Sequence, residues 1–365
     1  MIKGQYLKIL GVENFFTSKR TKEILDVNPT VIPIREEARD ISVMIYDFDS
    51  DSLEELQSTN VEDCLRFKNN NRLSWINIDG LRKTEIEKIC EIFGVHYLLV
   101  EDILSVNQRP KMDEVEDVLF CLLNMLYFNE EKKSIESEQI SFVLGKSFVI
   151  SFQEDASRDV FDPLRNRLKI SKSQLRQKSA DHLLYAMLDM IVDNYFLVME
   201  KLGEMIEMAE EEVIKKSNTN SLARINHLRK EQIILKRNIA PVRDMISGII
   251  RSESELLEDK TTKYFKDVYD HIVQANDLSE NYRDIIMSLQ DLYINNVNLR
   301  MNEVMKVMAI VTCVLAPATV IGGIFGMNFD IIPYSHNPWG FYLAVAVMLI
   351  IPIWMLWIFK NRGWF

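Results

Sequence analysis

Apolar and polar positions change rhythm along this chain. Up to residue 178, short apolar runs alternate with charged stretches: ISVMIYDF (41–48), SWINID (74–79), VLFCLLNMLYF (118–128), ISFVL (140–144) and SFVISF (147–152) have the length and the β-branched or aromatic content of strands. The stretches 53–68, 82–93 and 97–105 carry helical spacing, and Gly145-Lys146 between two apolar runs is a two-residue hairpin signal. One sheet with helices packed on it follows for 1–178, an α+β domain of the α/β kind. Beyond it glycine and proline thin out: between Pro163 and Pro241 the only glycine is Gly203, and between Gly248 and Gly322 there is none and only Pro317. Long helices are predicted. Two of them, about 179–216 and 220–250, form a hairpin turning at SNTNS (217–221) within a segment 179–262. A third runs from about Lys263 to 325 as a stalk that continues into an apolar run.

Two apolar runs close the chain. Val304 to Phe325 holds one charge, Lys306, and Trp339 to Phe359 holds none. Each approaches the roughly 20 residues that cross a hydrocarbon core of about 30 Å. The linker 326–338 has no Lys or Arg, whereas Arg300 and Lys306 precede the first run and Lys360 and Arg362, in the tail 360–365, follow the second. Positive charge is retained in the cytoplasm, so both termini are expected there and the linker outside, in the cell's inner (plasma) membrane. Trp339, Trp354, Trp357 and Trp364 fall at or near the interfacial positions.

Charge and composition narrow the class further. Lys and Arg number 43 against 54 Asp and Glu in 365 residues, a formal charge of −11, which argues against nucleic acid as a partner and for a cationic ligand. With 47% apolar residues the chain is neither disordered nor collagen-like. Cys64, Cys90, Cys121 and Cys313 show neither CxxC spacing nor a local His, so neither a disulfide framework nor a zinc site is expected. The opening MIKGQYLKILGVENFF lacks a signal-peptide core. No GxxxxGK[ST], GxGxxG or GxSxG occurs, so neither an enzyme nor an organic cofactor is expected. The tip of the helical hairpin, with Glu204, Glu207, Glu210, Glu211 and Glu212, reads either as a solvated face or as a field that gathers cations at the membrane surface.

The third helix carries the chemistry. Alternating steps of four and three from Asp270 give Gln274, Asp277, Asn281, Asp284, Ser288, Asp291, Asn295, Asn298 and Asn302, then Met305, Ala309, Thr312, Ala316, Thr319, Gly323 and Gly326. A heptad step keeps this seam on one side of a slowly supercoiling helix. The outer part alone has a plain explanation as an exposed face, but solvation gives no reason for Thr312 and Thr319 to continue it through hydrocarbon, where polar groups mark helix contacts or water-filled paths. Gly322 and Gly326 form a GxxxG whose plain reading is helix packing. Two spans cannot enclose a channel, whereas several copies in a ring can, with the seam on the axis. Oxygen donors without thiolate or imidazole suit hard cations, above all Mg²⁺, which keeps its waters.

At Gly326-Met327-Asn328, directly after the first apolar run, the sequence resembles the CorA family of magnesium transport proteins. The resemblance extends through HYLLVEDILSVNQRPK (96–111), ESEQISFVLGKSFVISFQED (136–155), YFKDVYDH (264–271), NEVMKVM (302–308) and the basic, aromatic end. It implies a funnel-shaped homopentamer in which two C-terminal transmembrane helices and a long stalk are joined to a cytoplasmic α+β domain. It also implies a passive channel for Mg²⁺, driven inward by the membrane potential, that carries Co²⁺ and sometimes Ni²⁺. By position, Asn328 holds the hydrated ion at the extracellular mouth, Gly326 permits the loop backbone, and Asp291 and Asn302 line the cytoplasmic half. Met305 and Met308 make the apolar constriction, with Met308 standing where relatives often have Leu and Ala316 where some have Met. Regulatory Mg²⁺ between neighbouring cytoplasmic domains is expected at Asp102 and Asp267, with Glu101 and Asp189 as further candidates. Two other readings compete: a membrane-tethered sensor whose tail only anchors it, and the same fold moving Zn²⁺ outward. The hydroxyls of the seam argue against the first, and the intact Gly-Met-Asn with no His on the seam argues against the second.

Overall fold

The computed structural model describes residues 38, 40–68, 70–105, 108–155, 158–215, 217–327 and 337–364. Seven strands make one sheet: β1 (Ser42–Phe48), β2 (Leu53–Ser58), β3 (Leu73–Asp79), β4 (Lys111–Val115), β5 (Val118–Asn129), β6 (Ser134–Leu144) and β7 (Phe148–Gln153). Their order is β2-β1-β3-β7-β6-β5-β4; β3 and β7 pair in parallel and every other pair is antiparallel. The first half of β5 is buried on both faces, which is why its sequence is continuously apolar instead of alternating.

On one face Val43, Ile45, Ile76, Ile78, Val143 and Ile150 form a core with the helices α1 (Lys83–Phe93) and α2 (Tyr97–Leu104). Each such fully buried side chain contributes on the order of 2 kcal/mol of burial. Gly94 ends α1 at φ 72°, donating its N–H to Cys90 and Glu91 carbonyls, and the His96 Nδ1 caps α2 by accepting from Leu98 N–H at 3.2 Å. On the other face Trp75 stacks on Tyr46 at 5.0 Å and meets Phe161 edge-on at 5.9 Å. Phe161 leads into α3 (Asp162–Lys169), and α4 (Ala180–Lys215) is tied down by the Tyr195 hydroxyl, which donates to the Asn124 carbonyl at 2.6 Å. The sheet is thus covered by helices on both sides, as expected for this class.

The region 53–68 is not the helix the spacing suggests. Asp49 accepts from the N–H groups of Asp51 and Ser52 at 2.8 Å each, a side-chain turn that reverses the chain and returns Leu53–Ser58 along β1 as an edge strand. Only Val61–Phe67 is helical, and of the 3-10 type, capped by Asn60. The hairpin between β6 and β7 exists, with Lys146 and Ser147 at its centre: Gly145 N–H donates to the Phe148 carbonyl at 2.9 Å. A Cβ on Gly145 would lie 2.3 Å from the Phe148 ring, so glycine is needed for space there.

Three longer helices follow: α5 (Thr219–Arg251), α6 (Asp259–Phe325) and α7 (Gly340–Asn361). At 67 residues, α6 measures about 100 Å. Two compact units are present, one of the residues through Glu211 together with Ala223–Ser288, the other of Glu212–Leu222 together with Leu289–Phe365. In the first, α6 buries Phe265, Val268, Ile272 and Ala275. It accepts from Gln232 of α5 at the Ser279 carbonyl at 3.3 Å, and Lys236 pairs with Glu280 at 2.5 Å. In the second, the end of α4 is closed by α6: Asn296 Nδ2 donates to the Val213 carbonyl at 3.0 Å and Arg300 to the Ser217 carbonyl at 2.7 Å. The Val213 carbonyl also accepts from the Ser217 hydroxyl at 2.8 Å, so the last carbonyls of this helix end are satisfied by side chains.

Candidate functional site

The seam read from the sequence is exposed along its whole length. Asp291, Asn295, Asn298, Asn302, Met305, Met308, Thr312, Ala316, Thr319, Gly323, Gly326 and Met327 all lie on the surface of the chain, as do Asp270 through Ser288 at the same steps. The face of α6 away from the seam is covered, with Ile310 7% exposed, and on the flank Gly322 would place a Cβ 3.8 Å from Met348 Cε of α7. At 100° per residue, Ile310, Pro317 and Ile321 stand about 130–170° around the helix from the seam, and Lys306 stands on its flank, about 100° from Met305. The second apolar helix is therefore behind the seam, not on it. Gly322 of the GxxxG pair serves that contact. Gly326 has no left-handed φ; an added Cβ there would come within 3.0 Å of the Gly322 carbonyl.

The two threonines of the seam are satisfied in a specific way. Thr312 Oγ1 donates to the Met308 carbonyl at 2.9 Å and Thr319 Oγ1 to the Leu315 carbonyl at 3.1 Å. With the proton committed to the helix, each hydroxyl oxygen turns its lone pairs outward and presents an acceptor. Asn328, which carries the selectivity expectation, lies outside the described residues.

Among the acidic residues, the structure brings some together and separates others. Asp189 and Asp193 of α4 and His271 of α6 place one donor atom each within 4.8 Å of one another. His271 Nδ1 is 3.4 Å from Asp193 and 4.0 Å from Asp189. Neither that nitrogen nor Asp189 Oδ1 has a hydrogen-bond partner, although both are buried atoms. Burial and the Asp193 charge raise the Asp189 pKa, His271 opposes them, and Asp267, one turn before His271, raises it further. Burial followed by the Asp189 and Asp267 charges pushes the neighbouring Tyr185 hydroxyl to about 12. Two carboxylates and an imidazole with unpartnered atoms facing one another are a donor set for a divalent ion, and the imidazole extends it to Co²⁺ and Ni²⁺. Sequence reading missed Asp193 and His271; their signal was the i,i+4 spacing of Asp189-Asp193 and Asp267-His271, two helical pairs that mean nothing until the helices are known to pack. Asp102 is elsewhere: Lys111 Nζ sits 2.6 Å from its Oδ2 and 3.1 Å from Asp113. Glu101 is exposed on α2.

The four cysteines are free, and burial pushes the thiols of Cys64 and Cys90 up to about 12. Cys64, Cys90 and Cys121 are core side chains, and Cys313 is half-buried on α6.

Among the described residues three helices are long and apolar enough to cross a membrane, α4, α6 and α7, but over half of the apolar window of α4 is buried within the protein, against almost none in the other two. A mixed sheet domain joined to a very long helix whose apolar end pairs with a second unburied apolar helix is the architecture of a membrane protein. The chain belongs to the CorA-like Mg²⁺ transporter protein family, whose model matches residues 70–361. It is 38% identical over 326 residues to the cobalt/magnesium transport protein CorA of Thermotoga maritima, covering 89% of this chain and 93% of that protein. It is 24% identical over 294 residues to the protein of the same name from Methanocaldococcus jannaschii, covering 80% and 92%. The fold matches the complete structure of the CorA magnesium transporter from Methanocaldococcus jannaschii with a TM-score of 0.76 at 22% identity, over 91% of this chain and 100% of that one. The family is one of transporters, not enzymes.

Proposed function

We propose that this protein is a channel-type transporter that admits Mg²⁺, with Co²⁺ and Ni²⁺ also carried, down the membrane potential. The exposed seam of α6 carries the reading. It offers carboxylate, amide and back-bonded hydroxyl oxygens on the face away from α7, where a ring of copies would place them on a common axis. A hydrated Mg²⁺ presents only donors, its waters' hydrogens, so a lining of acceptors passes it without stripping the shell. A divalent ion moving inward gains about 4.6 kcal/mol per 100 mV, and no nucleotide hydrolysis is required. A homopentamer with both termini in the cytoplasm of a plasma or inner membrane supplies the geometry. The segment 326–338 is then the extracellular entrance, with Asn328 in Gly326-Met327-Asn328 at the mouth; Met305 and Met308 form the constriction. Mg²⁺-driven flux in vesicles tests this: Asn328→Ala is expected to lose ion discrimination and most of the flux, and wild-type flux with wild-type selectivity would overturn it.

Regulation is proposed at the acidic residues. A metal held by Asp189 and Asp193 with His271, beside Asp267, links α4 to α6 and stiffens the helix that carries the seam; Asp102 and Glu101 serve a neighbouring copy, once the ion displaces Lys111 from Asp102. Replacing Asp102 and Asp267 by Lys removes two carboxylates that would meet the ion and adds charge that repels it. That pair is expected to abolish inhibition of flux by internal Mg²⁺ while leaving transport, and unchanged inhibition would remove the assignment.

A further inference from the structure

The C-terminal end of α7 is a built turn, and its parts point in one direction. Trp364 N–H donates to the Phe359 carbonyl at 3.0 Å and Gly363 N–H to the Lys360 carbonyl at 3.0 Å. Gly363 adopts φ +70°, and the Trp364 and Phe359 rings stack at 5.1 Å. These two bonds, a left-handed glycine and an apolar contact across them are the Schellman arrangement. The turn is fastened to α6 because Lys306 Nζ donates to the Gly363 carbonyl at 3.4 Å. Three cations, Lys306, Lys360 and Arg362, are thereby gathered at one end of the two apolar helices. None of them forms an ion pair with a carboxylate among the described residues.

Directly below this cluster α7 presents an apolar column. Leu349, Ile353, Leu356 and Trp357, spaced from Lys360 by eleven, seven, four and three residues, share its face, and Ile353 and Trp357 are 64% and 60% exposed. A cationic cap above an uncovered apolar strip has the polarity of one phospholipid molecule turned around: anionic head against the cap, acyl chains along the strip. We propose that this turn is a binding site for an anionic phospholipid headgroup, held by Lys306, Lys360 and Arg362, with Trp357 and Trp364 at the interface. Charge complementarity selects the occupant, since a zwitterionic head brings its own cation to the same cap. Once bound, the phosphate joins α7 to α6 through Lys306, one residue beyond Met305 of the seam. The site needs only that α6 and α7 lie in a bilayer, so it stands or falls independently of which ion the protein carries.

The test is retention of defined lipids by the full-length protein, counted by native mass spectrometry after exchange into mixed phosphatidylglycerol and phosphatidylcholine. Phosphatidylglycerol is expected to be retained preferentially, with affinity falling about fivefold for each charge removed in Lys306→Gln, Lys360→Gln and Arg362→Gln. Gly363→Ala keeps every charge but opposes the left-handed turn, and is expected to lower the preference as well. Should a triple variant fold poorly, Arg362→Gln alone, on an exposed side chain, carries the same prediction. Equal retention of the two lipids by the wild type, or wild-type preference in the charge variants, would overturn the site; loss of flux in either lipid has no bearing on it.

Discussion

Helices α4 and α7 are both apolar enough to cross a membrane, and they do opposite things with that composition. In α4, Leu183, Leu184, Met187, Leu188, Ile191, Val192 and Tyr195 are each at most 1% exposed. In α7, Phe341, Leu343, Leu349, Ile350 and Ile353 are each at least 60% exposed. What separates them is the partner: α4 has a sheet to cover, with Tyr195 and Asn194 bonding to β5 carbonyls, whereas α7 meets α6 and leaves most of its large apolar side chains exposed. Hydropathy measures how much surface must leave water; it does not say whether protein or lipid receives it. The same lesson holds along α6, whose first part buries Phe265, Val268 and Ile272 while its last part leaves Val307, Val311 and Leu315 open.

The largest expected effect separates the two helices directly. Leu188→Ala removes a fully buried side chain and leaves a cavity, which costs about 2–5 kcal/mol of unfolding free energy. Leu349→Ala deletes the same atoms from a side chain that is 60% exposed, and is expected to cost less than about 1 kcal/mol. Thermal or denaturant unfolding of the full-length protein in one lipid environment compares them. Equal costs would mean that α7 packs as tightly as α4 and is not a lipid-facing helix.

A smaller effect probes the outward oxygens. Thr312→Val keeps the shape of the side chain and removes the acceptor that the Met308 back-bond leaves turned outward. Losing one hydrogen bond to a passing hydrated ion is worth about 1 kcal/mol, so flux is expected to fall roughly fivefold while unfolding is nearly unchanged. A stability loss without a flux loss would place Thr312 in a dry contact.

Much of this architecture was legible in the sequence, and the two strands that were not share a cause. The interior strands β1, β3, β5, β6 and β7 show as apolar runs because both their faces are covered. The strands that escaped, β2 and β4, stand at the two ends of the sheet order. LEELQS and KMDEV are polar because an edge strand with charged side chains resists pairing with another chain, so the feature that protects an edge also hides it from a hydrophobic pattern. LEELQS also opens the stretch 53–68 that reads as helical, and only the Asp49 turn shows the reversal. The seam was legible because one helix holds all of it and the heptad step needs no tertiary knowledge. The Asp189, Asp193 and His271 cluster needs two helices placed side by side, which no local spacing supplies.

The smallest expected effect concerns a group inside the sheet domain. Glu138 on β6 is 5% exposed; its Oε1 accepts from the N–H groups of Glu154 and Asp155 at 2.8 Å each, while its Oε2 has no partner. It borders a cavity of about 340 Å³ with Asn124, Tyr127, Ser137 and Arg158. Burial is the main cause that raises its pKa above the ordinary 4.5; the two backbone bonds oppose it, and the Glu154 and Asp155 charges add to it. A carboxyl raised in the folded state is easier to ionise in the unfolded chain, so its contribution is fully present below the unfolded pKa and is lost as pH rises through the folded one. Glu138→Gln keeps an oxygen for both N–H groups and removes the charge. The variant is therefore expected to unfold at a higher temperature than the wild type at pH 7 to 8, with the difference closing as pH falls toward 4.5. A difference that instead favours the wild type and widens with pH would mean that the ionised carboxylate is stabilised where it sits. The two backbone N–H groups and the Arg158 guanidinium across the cavity would then outweigh the burial of the charge.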